Sequence, residues 1–142
     1  MTFLLLLLYQ LSLKPSYCSC IPFPPIDDKQ YNEYSLIAKG KVVKITFNNL
    51  GENIYLTVDT CYKGGQKRET IKIVSPSSEG ICGIFPKIGE RWLMFDYAEG
   101  KNYKTNLCTR TKNMNPKAWN YNNDELSDDL KFLRTKLANN SY

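Results

Sequence analysis

Hydrophobic and polar residues alternate through the middle of the chain, a pattern that predicts β-strands with one buried face. The alternating stretches cover residues 36–47, 54–62, 69–74, 91–97 and 102–107. Turn-forming residues, chiefly glycine and asparagine, separate several of them. In the first stretch Gly40 predicts a bulge or bend, and in the second Ile54, Leu56 and Val58 share one face. Five strands at this spacing predict an all-β fold that closes into a small barrel.

Two helices are predicted to flank the strands. Residues 27–34 form a short helix with Asp27 or Asp28 as its N-cap, and Tyr31 and Tyr34 lie on one side of it. Asp124 can cap a second, C-terminal amphipathic helix that carries a stripe of leucines. The stripe consists of Leu126, Leu130, Leu133 and Leu137. It packs most simply against the barrel, and a partner protein is the alternative.

The N-terminus has the features of an export signal. Residues 3–13 are free of charge, too short to span a bilayer and of the right length for a signal-peptide core. We therefore predict a signal peptide over residues 1–17, with Cys18 as the first mature residue and no transmembrane segment in the mature chain. A buried N-terminal helix is the alternative, against which Pro15 argues. A lipid anchor on Cys18 is another, although Pro15, Ser16 and Tyr17 fit a lipobox poorly.

Composition narrows the function classes. The 142 residues contain no histidine, which removes Ser-His-Asp and Cys-His catalysis and His-ligated zinc. No other catalytic constellation stands out, so the chain is predicted not to be an enzyme and to use no cofactor. The neighbouring acids Asp27-Asp28 and Asp128-Asp129 are interpreted as solvent-facing. The tyrosines and tryptophans, Trp119 among them, are assigned mostly to the core and to grooves.

The formal net charge is +5, and many of the basic residues fall on predicted strands or their flanks. We interpret them mainly as a solvated strand face that discourages edge pairing. Because the protein is predicted to be exported, its anionic partner is expected to be a glycan or a cell surface. Nucleic acid is not a predicted partner. The residues are Lys39, Lys41, Lys44, Lys63, Lys67, Arg68, Lys72, Lys101, Lys104, Arg110 and Lys112.

Five cysteines in so short a chain fit an oxidising compartment, so the protein is predicted to be secreted, extracellular or periplasmic. Their sequence contexts are distinctive: Cys18-Ser19-Cys20-Ile21-Pro22, Asp59-Thr60-Cys61-Tyr62-Lys63-Gly64, Ser78-Glu79-Gly80-Ile81-Cys82-Gly83 and Leu107-Cys108-Thr109. Together they resemble the tissue inhibitors of metalloproteinases, in which a Cys-x-Cys-x-Pro segment opens the mature protein. The resemblance covers residues 18–112 and is strongest to single-domain bacterial proteins of this type. Residues 113–142 are then a linker and the C-terminal helix.

The resemblance implies a netrin-like domain, whose five-stranded closed barrel has the OB-fold. It also implies the disulfides Cys18–Cys82 and Cys20–Cys108. In such inhibitors the amine and carbonyl of the first cysteine, here Cys18, chelate the catalytic zinc of the target protease. The implied contact residues are Cys18, Ser19, Cys20, Ile21, Pro22, Ser78, Glu79, Gly80, Ile81 and Cys82.

Two less specific interpretations stay open. The four cysteines at 18, 20, 82 and 108 can serve only to fasten a proline-rich segment to the barrel of a binding module that inhibits nothing. The remaining cysteine, Cys61, is predicted to be a buried or half-buried free thiol, with an intermolecular disulfide as the alternative.

Overall fold

The computed structural model describes residues 18–49, 51–65, 67–77 and 82–140. The predicted signal peptide, residues 1–17, lies outside the described residues, as do contact residues 78–81. The described residues form two helices and six strands. In chain order these are α1 (Asp28–Glu33), β1 (Leu36–Asn48), β2 (Gly51–Lys63), β3 (Thr70–Ser75), β4 (Arg91–Glu99), β5 (Asn102–Lys104), β6 (Lys112–Asn113) and α2 (Asn123–Asn139).

The strands pair in a ring. β1 is antiparallel to β2 and β4, β2 is antiparallel to β3, β3 is parallel to β5, and β5 returns antiparallel to β4. The all-β prediction is therefore confirmed, and the five expected strands all occur. The sequence prediction missed a further strand, β6, whose two residues pair with Trp92 and Leu93 of β4. So short a strand carries no alternation from which to predict it.

The pairing of β1 with β2 is irregular at the predicted position, since the register shifts between Lys39 and Gly40, where the extra residue is Asp59 of β2. It shifts again between Val42 and Lys44. A Cβ at Gly40 would lie 2.3 Å from the Thr57 carbonyl oxygen, so the close approach of the two backbones requires glycine here. At the second bulge Val43 is the extra residue, and its side chain is exposed.

Alternate residues of β1 and β4 enter two different apolar cores. Leu36, Trp92 and Met94 belong to the core shared with β2 and β3, whereas Ile37 and Leu93 belong to the core beneath the helices. Because successive strand residues point to opposite faces, both strands are covered on both sides at this point.

Helix α2 covers the second core with its leucine stripe. Leu126 and Leu133 are buried, and Leu130 and Leu137 pack against the same cluster. The stripe is therefore occupied within the chain, as the simpler interpretation expected. Its predicted cap was wrong, because the side chain of Asn122, not Asp124, accepts a hydrogen bond from the Glu125 backbone N–H at 3.2 Å.

Helix α1 has the predicted cap. The Asp27 carboxylate accepts a hydrogen bond from the Gln30 backbone N–H at 2.8 Å, and Tyr31 and Tyr34 are buried in the second core. Within the part of the chain that the structure describes, neither helix is long and apolar enough to cross a membrane.

Strand β5 ends three residues earlier than the alternation predicted. The Thr105 backbone N–H still bonds to the Val74 carbonyl at 2.9 Å, but the chain then turns. The Asn106 side chain accepts from the Cys108 N–H at 2.7 Å, and the Thr109 N–H bonds to the Asn106 carbonyl. This local asparagine turn replaces the end of the strand and presents Cys108 to the N-terminal segment.

Candidate functional site

The N-terminal segment, defined here as residues 18–26, lies extended and is fastened to the strands by two disulfides. They join Cys18 to Cys82 and Cys20 to Cys108, the pairing that the resemblance implied. The bonds close loops with sequence separations of 64 and 88 residues. In the chain-entropy model each contributes about 4 kcal/mol to stability, which is large against a typical total of about 5–15 kcal/mol.

The side chains next to the two cysteines of the N-terminal segment are exposed to solvent. Ser19 and Pro22 are exposed, and Ile21 is 88% exposed, whereas Cys18 and Cys20 are half-buried. Of the predicted contact residues, the structure brings Cys18, Ser19, Cys20, Ile21, Pro22 and Cys82 together at one edge of the molecule.

Open grooves run along the segment. One, of about 330 Å³, is lined by residues 21–24 together with Asp27 and Gln30 of the α1 region. Another, of about 210 Å³, is lined by residues 20–23 together with Lys112 and Glu125. The segment therefore forms a ridge beside open space, a shape that suits entry into a cleft of a partner better than capture of a small ligand.

The turn that carries Cys82 is held by the backbone as well as by sulfur. The Cys82 carbonyl accepts a hydrogen bond from the Leu107 N–H at 2.7 Å, and the Ile84 N–H bonds to the Ser75 hydroxyl at 3.2 Å. A Cβ at the buried Gly83 would lie 2.2 Å from the Pro76 carbonyl oxygen, so the turn packs directly on the strand that ends at Ser75. Both sulfur attachment points, Cys82 and Cys108, thus belong to one hydrogen-bonded loop pair.

Arg110 anchors the segment a second time, independently of sulfur. Its guanidinium donates to the Pro24 carbonyl at 2.8 Å, to the Gln30 side chain at 2.5 Å and to the Asp129 carboxylate at 2.6 Å. The guanidinium carbon also lies 5.1 Å from the centre of the Phe23 ring. One side chain therefore joins the N-terminal segment, α1 and α2.

This cluster corrects two sequence-based interpretations. Arg110 is only 3% exposed and Asp129 fully buried, so neither is the solvent-facing charge that was predicted. Lys112, also assigned to a solvated face, is half-buried and lies 2.9 Å from Asp129. A signal was present, because Asp129 follows Leu126 by three residues and precedes Leu133 by four, which places it on the buried stripe.

Asp96 is a buried carboxyl group beside a cluster of threonines. The hydroxyl of Thr105 lies 3.0 Å from that of Thr109 and 2.8 Å from that of Thr111. Burial raises the pKa of Asp96 well above its ordinary value, and the Thr105 hydroxyl opposes this only in part. No feature of the sequence distinguished this aspartate from a surface residue.

The raised pKa of Asp96 predicts a loss of stability with rising pH. The folded chain holds this proton more tightly than the unfolded chain, so stability falls once pH exceeds the unfolded value near 4, by at most about 1.4 kcal/mol per pH unit. The free energy of unfolding is measured by urea denaturation at pH 4 and at pH 7. We expect its change from pH 4 to pH 7 to be more favourable to the folded state in Asp96→Asn than in the parent chain. The exposed Asp128→Asn serves as control. An unchanged difference between the two pH values would contradict the assignment.

The other singled-out residues have clear positions. Cys61 is free and half-buried, as predicted, and its sulfur accepts from the Gly65 N–H at 3.2 Å. Trp92 is buried, but Trp119 is 88% exposed and belongs to neither core, contrary to its assignment.

No protein-family model matches this chain, and no curated protein matches it at a significant level.

Proposed function

We propose that the protein is a secreted or periplasmic, netrin-like domain of OB-fold type that inhibits a zinc metalloendopeptidase through its mature N-terminus, Cys18. The ring of pairings through β1 to β5 supports this fold, since an OB-fold is built from five strands curled into a barrel. The observation that carries the function is the N-terminal segment itself, which is doubly disulfide-bonded and yet exposes Ile21 and Ser19.

The chemistry follows from the backbone of the first residue. A catalytic zinc keeps one coordination position open for water. The α-amine nitrogen and the carbonyl oxygen of Cys18 displace that water and close a five-membered ring on the metal. An α-amine has a pKa of about 8, so a metal readily takes it in its neutral form near neutral pH.

Neighbouring side chains supply the rest of the contact. Ser19 enters the main specificity pocket of the protease, while Ile21 and Pro22 extend along its cleft. The proposed contact also includes Cys82 and the residues Ser78, Glu79, Gly80 and Ile81, which lie outside the described residues. The disulfides and Arg110 order the segment before it binds, so little conformational entropy is lost on association.

A lipid-anchored form is incompatible with the disulfide at the same residue. Lipidation converts the Cys18 thiol to a thioether, and this sulfur is bonded to Cys82 in the structure.

A second candidate function is binding of an anionic glycan or cell surface. One stretch of β1 favours it, because Lys41 and Lys44 are exposed next to the apolar side chains of Val43 and Phe47, which are 45% and 69% exposed. This stretch combines charge with exposed apolar area. Binding there would weaken with salt and would be indifferent to the N-terminal residue.

The test of the inhibitor proposal starts with the exported protein. Intact mass under non-reducing conditions and N-terminal sequencing should find a chain beginning at Cys18, with a free amine and two disulfides. Titrated against zinc metalloendopeptidases, this protein should inhibit at least one of them by competing with substrate. A first residue upstream of Cys18, or a lipid adduct on it, would contradict the proposal.

A further inference from the structure

We propose that Cys18, Cys20, Cys82 and Cys108, when reduced, bind one Zn²⁺ as a tetrathiolate site. This metal site belongs to the chain itself and does not depend on the inhibitory function. Its basis is the packing of the two disulfides against each other, which places all four Sγ atoms within 4.8 Å of one another. Ligand sets of four cysteines are typical of structural zinc sites.

The distances between sulfurs of different disulfides already fit zinc. The Sγ atom of Cys18 lies 3.8 Å from that of Cys108 and 3.9 Å from that of Cys20, and the Sγ atoms of Cys82 and Cys108 are 3.9 Å apart. With Zn–S bonds of about 2.3 Å, the edge of a regular ZnS₄ tetrahedron is about 3.8 Å. Three edges of the tetrahedron therefore exist before any metal enters.

The remaining adjustment is small. The two bonded sulfur pairs must separate to the same length, and their Cα atoms stand 5.3 Å apart for Cys18 and Cys82 and 5.2 Å apart for Cys20 and Cys108. Because each sulfur is two bonds from its Cα atom, rotation about the Cα–Cβ bonds can open the pairs without moving the backbone.

Contacts that involve no sulfur hold Cys82 and Cys108 when the disulfides are cut, and they tether the segment that carries Cys18 and Cys20 at Pro24. The Leu107 N–H to Cys82 carbonyl bond keeps the two loops together, and the Asn106 side chain fixes the Cys108 N–H. The bond from Arg110 to the Pro24 carbonyl keeps the N-terminal segment beside them. The reduced chain therefore keeps two ligands in place and the other two on a tethered segment, which lowers the ordering entropy that metal binding must offset.

The conversion balances in electrons and protons. Each disulfide accepts two electrons and two protons from a dithiol, which becomes a disulfide in turn. The four resulting thiols lose four protons as their thiolates bind Zn²⁺, so affinity falls as pH is lowered. In the reverse direction two equivalents of a small-molecule disulfide oxidise the four thiolates to two disulfides, are themselves reduced to four thiolates, and so release Zn²⁺. The chain thus has two alternative crosslinks, sulfur–sulfur and sulfur–zinc, at one position.

The experiment uses the full chain, reduced with excess phosphine without oxygen and titrated with Co²⁺ as a spectroscopic substitute and then with Zn²⁺. We expect one Co²⁺ per chain, with the charge-transfer and intense visible bands of tetrahedral cobalt bound to four thiolates, and displacement by Zn²⁺. Zinc should also raise the thermal unfolding midpoint of the reduced chain, since it binds the folded form.

Two variants of matched chemistry separate the site from adventitious thiol binding. Cys61→Ser lies outside the cluster and should bind as the parent chain does. Cys108→Ser removes a ligand and should lose the four-thiolate spectrum, the thermal shift and at least about 100-fold in zinc affinity, since even indirect perturbation of zinc ligands costs about 10–100-fold. Absence of tetrahedral binding in the reduced parent, or identical binding by Cys108→Ser, would overturn the proposal.

Discussion

Replacement of Asp129 by alanine is expected to lower the free energy of unfolding by about 3–5 kcal/mol, because it leaves the guanidinium of Arg110 buried without its counter-charge. The loss is a large part of the stability of a typical domain, about 5–15 kcal/mol. Urea denaturation at neutral pH measures it. The neighbouring Asp128→Ala is the matched control, since Asp128 is exposed on the same helix and should change stability by less than about 0.5 kcal/mol.

The same cluster gives a sharper comparison through a double substitution. Removing both charges, as Arg110→Met with Asp129→Leu, leaves no buried guanidinium without its counter-charge and should cost less than Asp129→Ala alone. Lys112, which also contacts Asp129, still has Glu125 at 3.8 Å. The double variant also loses the bond to Pro24, so its N-terminal segment should become more sensitive to protease while the two disulfides persist. Equal stabilities of Asp129→Ala and Asp128→Ala would show that Arg110 is not held as a buried cation.

The strands could be predicted because one residue in two is apolar where a strand buries one face. Ile54, Leu56 and Val58 are all buried, as their alternation indicated. The buried face of α2 could be predicted in the same way, since Leu126 and Leu133 recur at the helical period. Local patterns of this kind report burial, and burial is what fixes these elements.

The elements that escaped prediction depend on contacts between distant parts of the chain. Strand β6 has two residues and exists because β4 offers it a partner. Asp129 lies on the buried stripe of α2, but nothing in the sequence marked Arg110 as its partner, because the pair forms only when α2 folds over the N-terminal segment. Asp96 lies on β4, and its burial on both sides depends on the ring of strands and the loop with Thr105.

Only part of the candidate site could be predicted from the sequence. The spacing of the cysteines, read through the family resemblance, suggested the two disulfides that the structure contains. Their mutual packing was not predictable, because a sequence gives the partner of each cysteine at best and never the distance between two bridges. That packing, with Cys18 and Cys108 sulfurs 3.8 Å apart, underlies the proposed zinc site.

The inhibitor proposal requires the amine of Cys18 to be free. One alanine placed before Cys18 turns that amine into an amide nitrogen, which is a poor metal ligand, while the disulfides and Arg110 remain in place. We expect this extension to weaken inhibition of a responsive protease by at least about 100-fold, equivalent to about 2.7 kcal/mol of binding free energy. The alternative function, binding of anionic glycans through β1, should be unaffected by the change.

The decisive measurement is the inhibition constant of three proteins against one responsive zinc metalloendopeptidase. The first begins at Cys18, the second carries one alanine before Cys18, and the third carries one alanine after Tyr142. Non-reducing mass and thermal unfolding should be alike for all three, so that folding cannot explain a difference. We expect strong inhibition by the first and third proteins and its loss in the second; equal inhibition by all three would show that the Cys18 amine does not bind the zinc.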